Sequence, residues 1–331
     1  MPDHDQQPVR WGVLGCADIA TQKVIPGMAE SPSSVVAAIA SRSIDRAEAT
    51  AAELGIAGAY GSYEELLADP SIEAVYIPLP NHLHREWAIA AVEAGKHVLC
   101  EKPLALTVAD AREMVDAAER AQVLLMEAFM YRLHPMWEGV KRLVDGGRIG
   151  SLVAVDTVFS YHNVDPGDIR NQPEAGGGAL YDIGCYGINV ARFLFGSEPS
   201  VAGAVVRRDP RFGTDATTAA VLDFGGGTAT LTVSTQAESS QRVEILGDRG
   251  RIVVPIPFNI PPGRDSVVHV VAGGDPPVAP ATDTITFPAT DQYGRQAELF
   301  AQAVRAGGPV PTPPADALAN LAVIEAIFAA G

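Results

Sequence analysis

From Arg10 to about Glu127 the chain alternates short apolar runs with longer amphipathic stretches, the pattern of βαβ units around a parallel sheet. Trp11 to Leu14, Val35 to Ala40, Ala74 to Ile77, His97 to Cys100 and Val123 to Met126 are the expected strands. The stretches between them carry helix start and stop signals. Ser62 with Glu65 has the spacing of a capping box and Thr107 with Asp110 that of its Asp variant, so a hydroxyl and a carboxylate can satisfy orphan helix N–H groups. Gly95 closes the Glu86 to Ala94 stretch where a left-handed residue is needed.

After about residue 150 the period shortens to two. Val153, Val155, Thr157, Phe159 and Tyr161 alternate with residues of the opposite face, and Ala216 to Phe224, Thr228 to Thr235 and Arg251 to Val254 come next as further strands. Gly225-Gly226-Gly227 and Gly247-Asp248-Arg249-Gly250 read as hairpin turns. One helix near Gly178 to Phe195 interrupts the strands, and helices near Gln292 to Arg305 and Ala315 to Ala329 end the chain. The expected architecture is an α/β N-terminal domain over residues 1–127, then an α+β domain over residues 128–331 built on a large, mostly antiparallel open sheet. The terminal helices are expected to pack back on the first domain. Such a sheet needs its second face covered or solvated, so an apolar outer face predicts a homodimer or homotetramer.

With 331 residues the chain is long enough for two cores with a cleft between them. Its formal charge of −16, from 24 Lys+Arg against 40 Asp+Glu with no basic run, disfavours nucleic acid and anionic membrane as partners. A phosphate-bearing ligand must therefore find a local basic pocket. Cys16, Cys100 and Cys185 form no CxxC pair, which fits a reducing cytoplasm better than a disulfide framework or a thiolate metal site. Met1 to Arg10 is polar, and no apolar run approaches the roughly 18 to 20 residues of a membrane span, so the protein reads as soluble and unexported.

The first strand runs into Gly15-Cys16-Ala17-Asp18-Ile19, a glycine turn between strand and helix where N–H groups and the helix dipole can meet a pyrophosphate. Ala17 and Ala20 stand where a dinucleotide fingerprint has its other glycines, so an ordinary strand-to-helix turn is the alternative. At the end of the second strand, where an NAD site places an acid, the chain has Ser41-Arg42-Ser43, with Arg46 close behind. That basic pair suits a 2′-phosphate and favours NADP over NAD. Leu79, Pro80, Asn81 and His84 come after the Ala74 to Ile77 strand at the carboxyl end of the sheet, the ligand side of such folds. His82 and His84 lack a third ligand at a recognisable spacing, so no metal site is expected.

Two further strings carry chemistry. Glu101-Lys102-Pro103 ends a buried strand with a lysine placed to polarise a carbonyl or shift a neighbouring acid, a surface lysine being the alternative. Gly176-Gly177-Gly178 leads into a helix on which Asp182, Tyr186 and Asn189 stand at i, i+4 and i+7, an acid, a phenol and an amide on one face. Together with Glu127-Ala128-Phe129-Met130-Tyr131-Arg132-Leu133-His134-Pro135, these strings resemble the glucose-fructose oxidoreductase / inositol dehydrogenase (Gfo/Idh/MocA) family over nearly the whole chain. Tyr186, where many members have His, points to the NADP-linked dihydrodiol and aldose (xylose) dehydrogenase and sugar ketoreductase branch.

The resemblance implies a Rossmann domain, with Glu101, Lys102 and Arg132 at the cofactor beside the glycine-turn residues. It makes Lys102 the central catalytic residue, Tyr186 the proton-transfer residue and Asp182 a substrate-orienting carboxylate. His134, Arg170 and Asn189 then line the substrate. Free tyrosine, with a pKa of about 10, is a poor base near neutrality, and a lysine beside it would favour the phenolate. The expected activity is hydride transfer between a nicotinamide and a secondary alcohol, hemiacetal or ketone of a sugar, polyol or dihydrodiol. An NAD-retaining glycosidase-like enzyme or a non-catalytic dinucleotide-binding protein are the alternatives on the same fold.

Overall fold

The computed structural model describes residues 7–272 and 283–331, so the first six positions of the polar N-terminal stretch lie outside the described residues. The chain divides into two compact units. The first runs to Leu133 and takes in Asp291–Leu318; the second comprises His134–Thr290 and Ala319–Gly331. The boundary falls after the helical turn Met130–Leu133 because that turn stays with the terminal helices: Arg295 Nε donates to Leu133 O at 2.7 Å, and Arg132 Nη1 pairs with Asp316 Oδ2 at 3.4 Å.

In the first unit β1 (Val9–Leu14), β2 (Ser34–Ala40), β3 (Gly58–Tyr60), β4 (Ala74–Ile77), β5 (His97–Glu101) and β6 (Leu125–Ala128) form a parallel sheet in the order β3-β2-β1-β4-β5-β6. The strand order reverses between β1 and β4, which is where open α/β sheets bind ligands. The helices are α1 (Ile25–Ala29), α2 (Ile44–Leu54), α3 (Tyr63–Ala68), α4 (His84–Glu93) and α5 (Val108–Ala121). Val9, Trp11, Val13, Tyr76, Leu99 and Met126 build the core with Phe300 of the terminal helix, whose ring lies 5.4 Å from that of Trp11.

The caps form largely as the spacing requires. Ser62 Oγ accepts from Glu65 N–H at 3.1 Å, but the Glu65 carboxylate turns to the N–H of Gly61 at 3.2 Å. Thr107 Oγ1 accepts from Asp110 N–H at 3.0 Å and donates to its carboxylate at 2.7 Å. Gly95 takes a positive φ of 74°. Two strands differ from expectation. The edge strand β3 is only Gly58-Ala59-Tyr60, too short to show a period. The strand expected from Val123 begins at Leu125, because Gln122 ends α5 in the left-handed conformation and Val123 N–H still bonds Ala118 O.

The second unit holds α6 (Pro135–Asp145) and α7 (Cys185–Phe195). Its strands are β7 (Leu152–His162), β8 (Ser200–Arg208), β9 (Asp215–Asp223), β10 (Thr228–Ser234), β11 (Gln236–Gly247), β12 (Gly250–Val254), β13 (Ser266–Ala272) and β14 (Asp283–Phe287). They form one sheet in the order β14-β13-β12-β11-β7-β10-β9-β8. Every neighbouring pair is antiparallel except β7 with β10. Val155, Phe159, Leu231, Val233, Val243 and Ile245 line its buried face, and α7 lies against β7 and β10. The last helices are α8 (Gln292–Ala306) and α9 (Pro314–Ala330). No helix among the described residues is long and apolar enough to cross a membrane.

Candidate active site

At the reversal point of the first sheet, β1 ends in Gly15, whose φ of 121° an L side chain rarely adopts. A Cβ there would stand 3.1 Å from Leu79 Cδ2 on the loop after β4, so the glycine lets two sheet-end loops approach. The turn through Cys16, Ala17, Asp18 and Ile19 leads into Ala20–Val24, wound as a π-helix, and then α1. Such π-turns concentrate at functional sites. Arg46 reaches back from α2 and its Nη2 donates to Cys16 O at 2.8 Å, so part of its guanidinium braces the turn. Ser43 caps α2, and Ser41 Oγ accepts from Ser43 N–H at 3.3 Å. Arg42 is exposed and, among the described residues, makes no hydrogen bond or ion pair.

His84 corrects an expectation. It is fully buried, with Nδ1 2.9 Å from Pro103 O and Nε2 2.7 Å from Leu79 O, which leaves no ring nitrogen for a cofactor. Burial lowers its pKa, and the neutral ring donates to one carbonyl at a time. Its role is to tie the Leu79-Pro80-Asn81 loop to the segment after Lys102. Glu101 is similarly held: Oε1 accepts from Tyr76 OH at 2.6 Å and Oε2 from Lys102 N–H at 3.3 Å. Burial first, then the Glu101 charge, pushes the Tyr76 and Tyr293 phenols up. Glu101 thereby fixes the backbone of Lys102, whose charge in turn opposes protonation of His84.

In the second unit Asp182 sits at the start of the α7 segment between two partners. Tyr161 OH donates to Asp182 Oδ2 at 2.6 Å, and Arg170 Nε stands 3.3 Å from the same oxygen. Arg170 also reaches Asp168 at 3.3 Å, and the Asp182 charge is the main cause of its raised pKa. Burial and Asp182 push the Tyr161 phenol far up, so Tyr161 is a donor here and not a proton carrier. Tyr186 is 6% exposed, its ring 5.0 Å from Phe258 and 5.9 Å from Phe159.

The expected single face of Asp182, Tyr186 and Asn189 does not hold throughout. Leu180–Gly184 is π-helical, and each residue there turns through a smaller angle than in an α-helix. Behind that segment Tyr186 is buried and Asn189 fully buried. His134 is also fully buried, as the N-cap of α6, its Nδ1 accepting from Met136 N–H at 3.0 Å. Neither presents surface to a substrate. Tyr161, which the pattern placed only as a strand residue, is hydrogen-bonded to Asp182; a phenol at the buried end of an alternating strand needs a hydrogen-bond partner.

Residues 9–129 match the family described as "Oxidoreductase family, NAD-binding Rossmann fold", and residues 137–253 match the "GFO/IDH/MocA C-terminal domain". The chain belongs to the Gfo/Idh/MocA oxidoreductase family. Within this family it is 48% identical over 320 residues, 96% of both chains, to an uncharacterized oxidoreductase of Rhizobium meliloti. It is 40% identical to a D-xylose 1-dehydrogenase (NADP(+)) of Haloferax volcanii, covering 96% of this chain and 95% of that one. A 3-ketoreductase of Actinomadura kijaniata, crystallised with NADP and TDP-benzene, superposes with a TM-score of 0.91 at 35% identity over 98% of each chain. The relatives are dehydrogenases and reductases, as expected for an enzyme that moves hydride.

Proposed function

We propose that the protein is an NADP-dependent oxidoreductase acting on a secondary alcohol, hemiacetal or ketone of a sugar, polyol or dihydrodiol. The observation that carries the cofactor choice is Arg42, exposed at the end of β2 without a protein partner among the described residues, where a guanidinium suits a 2′-phosphate. The Gly15 turn fits a pyrophosphate, since its positive φ opens backbone N–H groups that a side chain would crowd. The Haloferax relative is named for NADP and the Actinomadura relative holds it. When bound, NADP supplies or takes up the hydride.

The protein's own groups handle the proton and the orientation. Tyr186 gives or takes the hydroxyl proton, and Lys102 hydrogen-bonds the reacting oxygen and favours the phenolate. Asp182, held by Tyr161 and Arg170, accepts from a substrate hydroxyl. Arg170, with a side chain 46% exposed, stands ready for further substrate oxygens. The test is NADPH absorbance with a panel of aldoses, polyols and keto-sugars. Lys102→Met and Tyr186→Phe should each lose about 100-fold or more in kcat while NADPH titrations stay unchanged. Turnover surviving in Lys102→Met removes Lys102 from the mechanism, and sugar cleavage without net NADPH change makes the enzyme a glycosidase.

We also infer a homodimer or homotetramer joined through the outer face of the eight-stranded sheet, where Val205, Val221 and Leu246 are 50%, 42% and 37% exposed. A monomer in sedimentation equilibrium would refute it. Its expected compartment is the cytoplasm, where the free, buried Cys16, Cys100 and Cys185 stay reduced.

A further inference from the structure

Asp215 opens β9 and is 1% exposed. Its Oδ2 accepts from Leu180 N–H and from Thr218 Oγ1, both at 2.8 Å. Its Oδ1 is buried without a hydrogen-bond partner and faces Gly178, where a Cβ would stand 2.0 Å away. Leu180 N–H is one of the donors at the start of a helical segment that the segment itself cannot satisfy. Here a carboxylate from a neighbouring strand satisfies it, and negative charge suits that end of a helix. The glycine turn is fixed on its other side too: Gly177 N–H donates to Gln172 O at 3.0 Å and Gly178 N–H to Arg170 O at 2.9 Å.

We propose that Asp215 is a positioning residue whose carboxyl oxygen Oδ2 sets the start of the helical segment carrying Asp182 and Tyr186, so that loss of that acceptor loosens both. The proposal rests on the roles assigned above to those two residues. Burial pushes the Asp215 carboxyl up to about 6, against the hydrogen bonds from Thr218 and Leu180 and the charge of Arg208 on β8, which hold it down. The other charges in this region are Asp182 on the helical segment and Asp168 and Arg170 on the turn behind the glycines, and Arg170 pairs with both acids. The folded carboxyl therefore holds its proton more tightly than the unfolded one, so ionisation above about 6 strains the helix start and mild acid relieves it.

Two readouts on the full-length protein test this. The first is amide hydrogen exchange across residues 178–190, corrected for intrinsic rates. Asp215→Ala should speed exchange roughly tenfold at neutral pH, the effect of losing a helix cap. Wild type should exchange more slowly as the pH falls through about 6, whereas Asp215→Asn, which keeps an acceptor oxygen and never carries charge, should show no such step. The second readout is the pH profile of kcat with NADPH and the panel sugar turned over fastest. Wild type should show a limb in kcat centred near pH 6, where Asp215 ionises; Asp215→Asn should lack that limb, with NADPH binding unchanged. Unaltered exchange in Asp215→Ala overturns the clamp, and a wild-type pH limb persisting in Asp215→Asn overturns its link to the chemistry. If wild type turns over no sugar, the functional assignment fails while exchange still decides the clamp.

Discussion

Gly178→Ala should destabilise the second unit by about 3–5 kcal/mol, from two separable causes. Gly178 has a φ of 114°, outside even the left-handed region that Asn and Asp tolerate, and holding an alanine there costs about 1–3 kcal/mol. The new Cβ would also lie 2.0 Å from Asp215 Oδ1 and 3.3 Å from Asp215 N. That carboxylate cannot swing aside freely, because its other oxygen holds Leu180 N–H and Thr218 Oγ1. Moving it forfeits a hydrogen bond to a charged acceptor, about 1.5–3 kcal/mol.

A double-mutant cycle with Asp215→Ala separates the causes. Truncating Asp215 removes the clash but not the backbone strain, so Gly178→Ala should cost only about 1–3 kcal/mol in that background. The coupling of about 2 kcal/mol is then the carboxylate's share. Urea unfolding of the wild type, both single variants and the double variant, monitored by circular dichroism under one set of conditions, measures it. A cost below about 1 kcal/mol in the wild-type background, or an equal cost in both backgrounds, would refute the reasoning.

Three further outcomes are expected. Asp215 has a carboxyl raised from 3.8 to about 6, so its contribution to stability is fully present below its unfolded pKa and is lost as pH rises through about 6. About two pH units at about 1.4 kcal/mol each give ~3 kcal/mol, and Asp215→Asn should gain on wild type by that order between about pH 4 and pH 7.5 in urea midpoints; a constant difference contradicts it. Arg42→Ala should weaken NADP binding roughly 10- to 100-fold, the worth of a charge-assisted phosphate contact, with NAD binding little changed in fluorescence titration; equal loss for both would move the 2′-phosphate elsewhere. Tyr161→Phe removes a 2.6 Å bond to Asp182 and should raise the sugar KM about tenfold with unchanged NADPH affinity, and a normal KM would exclude Asp182 from orienting substrate through that bond.

The parallel first sheet, the change of period near residue 150 and the caps were legible because each is a local pattern: a run, an alternation, a hydroxyl three residues from an acid. Short β3 and the displaced start of β6 were not, since a three-residue edge strand has no period and the left-handed Gln122 is set by the end of α5. Among candidate site residues, motif strings singled out Lys102, Asp182, Tyr186 and Arg42, whose roles are proposals. Partners far apart in sequence escaped them: Arg46 turns to Cys16 O, His84 is held by two carbonyls, and Tyr161 and Asp215 reach the helix start from strands. Residue type shows that a side chain can bond; only the fold shows whether the protein already uses that capacity.

The Gly15 turn and the three-glycine string share a backbone device that a period of 3.6 hides. Gly15 and Gly178 have φ values of 121° and 114°, and each precedes a π-helical turn, Ala20–Val24 and Leu180–Gly184. A glycine in that region lets the chain reverse sharply and approach a neighbour, Leu79 in one case and Asp215 in the other. The π-turn then holds an extra residue in the first turns of the helix and rotates the later turns about the helix axis. In the second unit Tyr186 and Asn189, on the helix behind that turn, are 6% and 0% exposed. Converting either glycine to alanine therefore disturbs more than the turn, because the helix behind it starts from a different angle. The three-glycine run reads as flexibility in the sequence, yet Gly177 and Gly178 are both hydrogen-bonded to the segment that carries Arg170. The glycines serve close packing, and it is packing that orients the acid and the phenol.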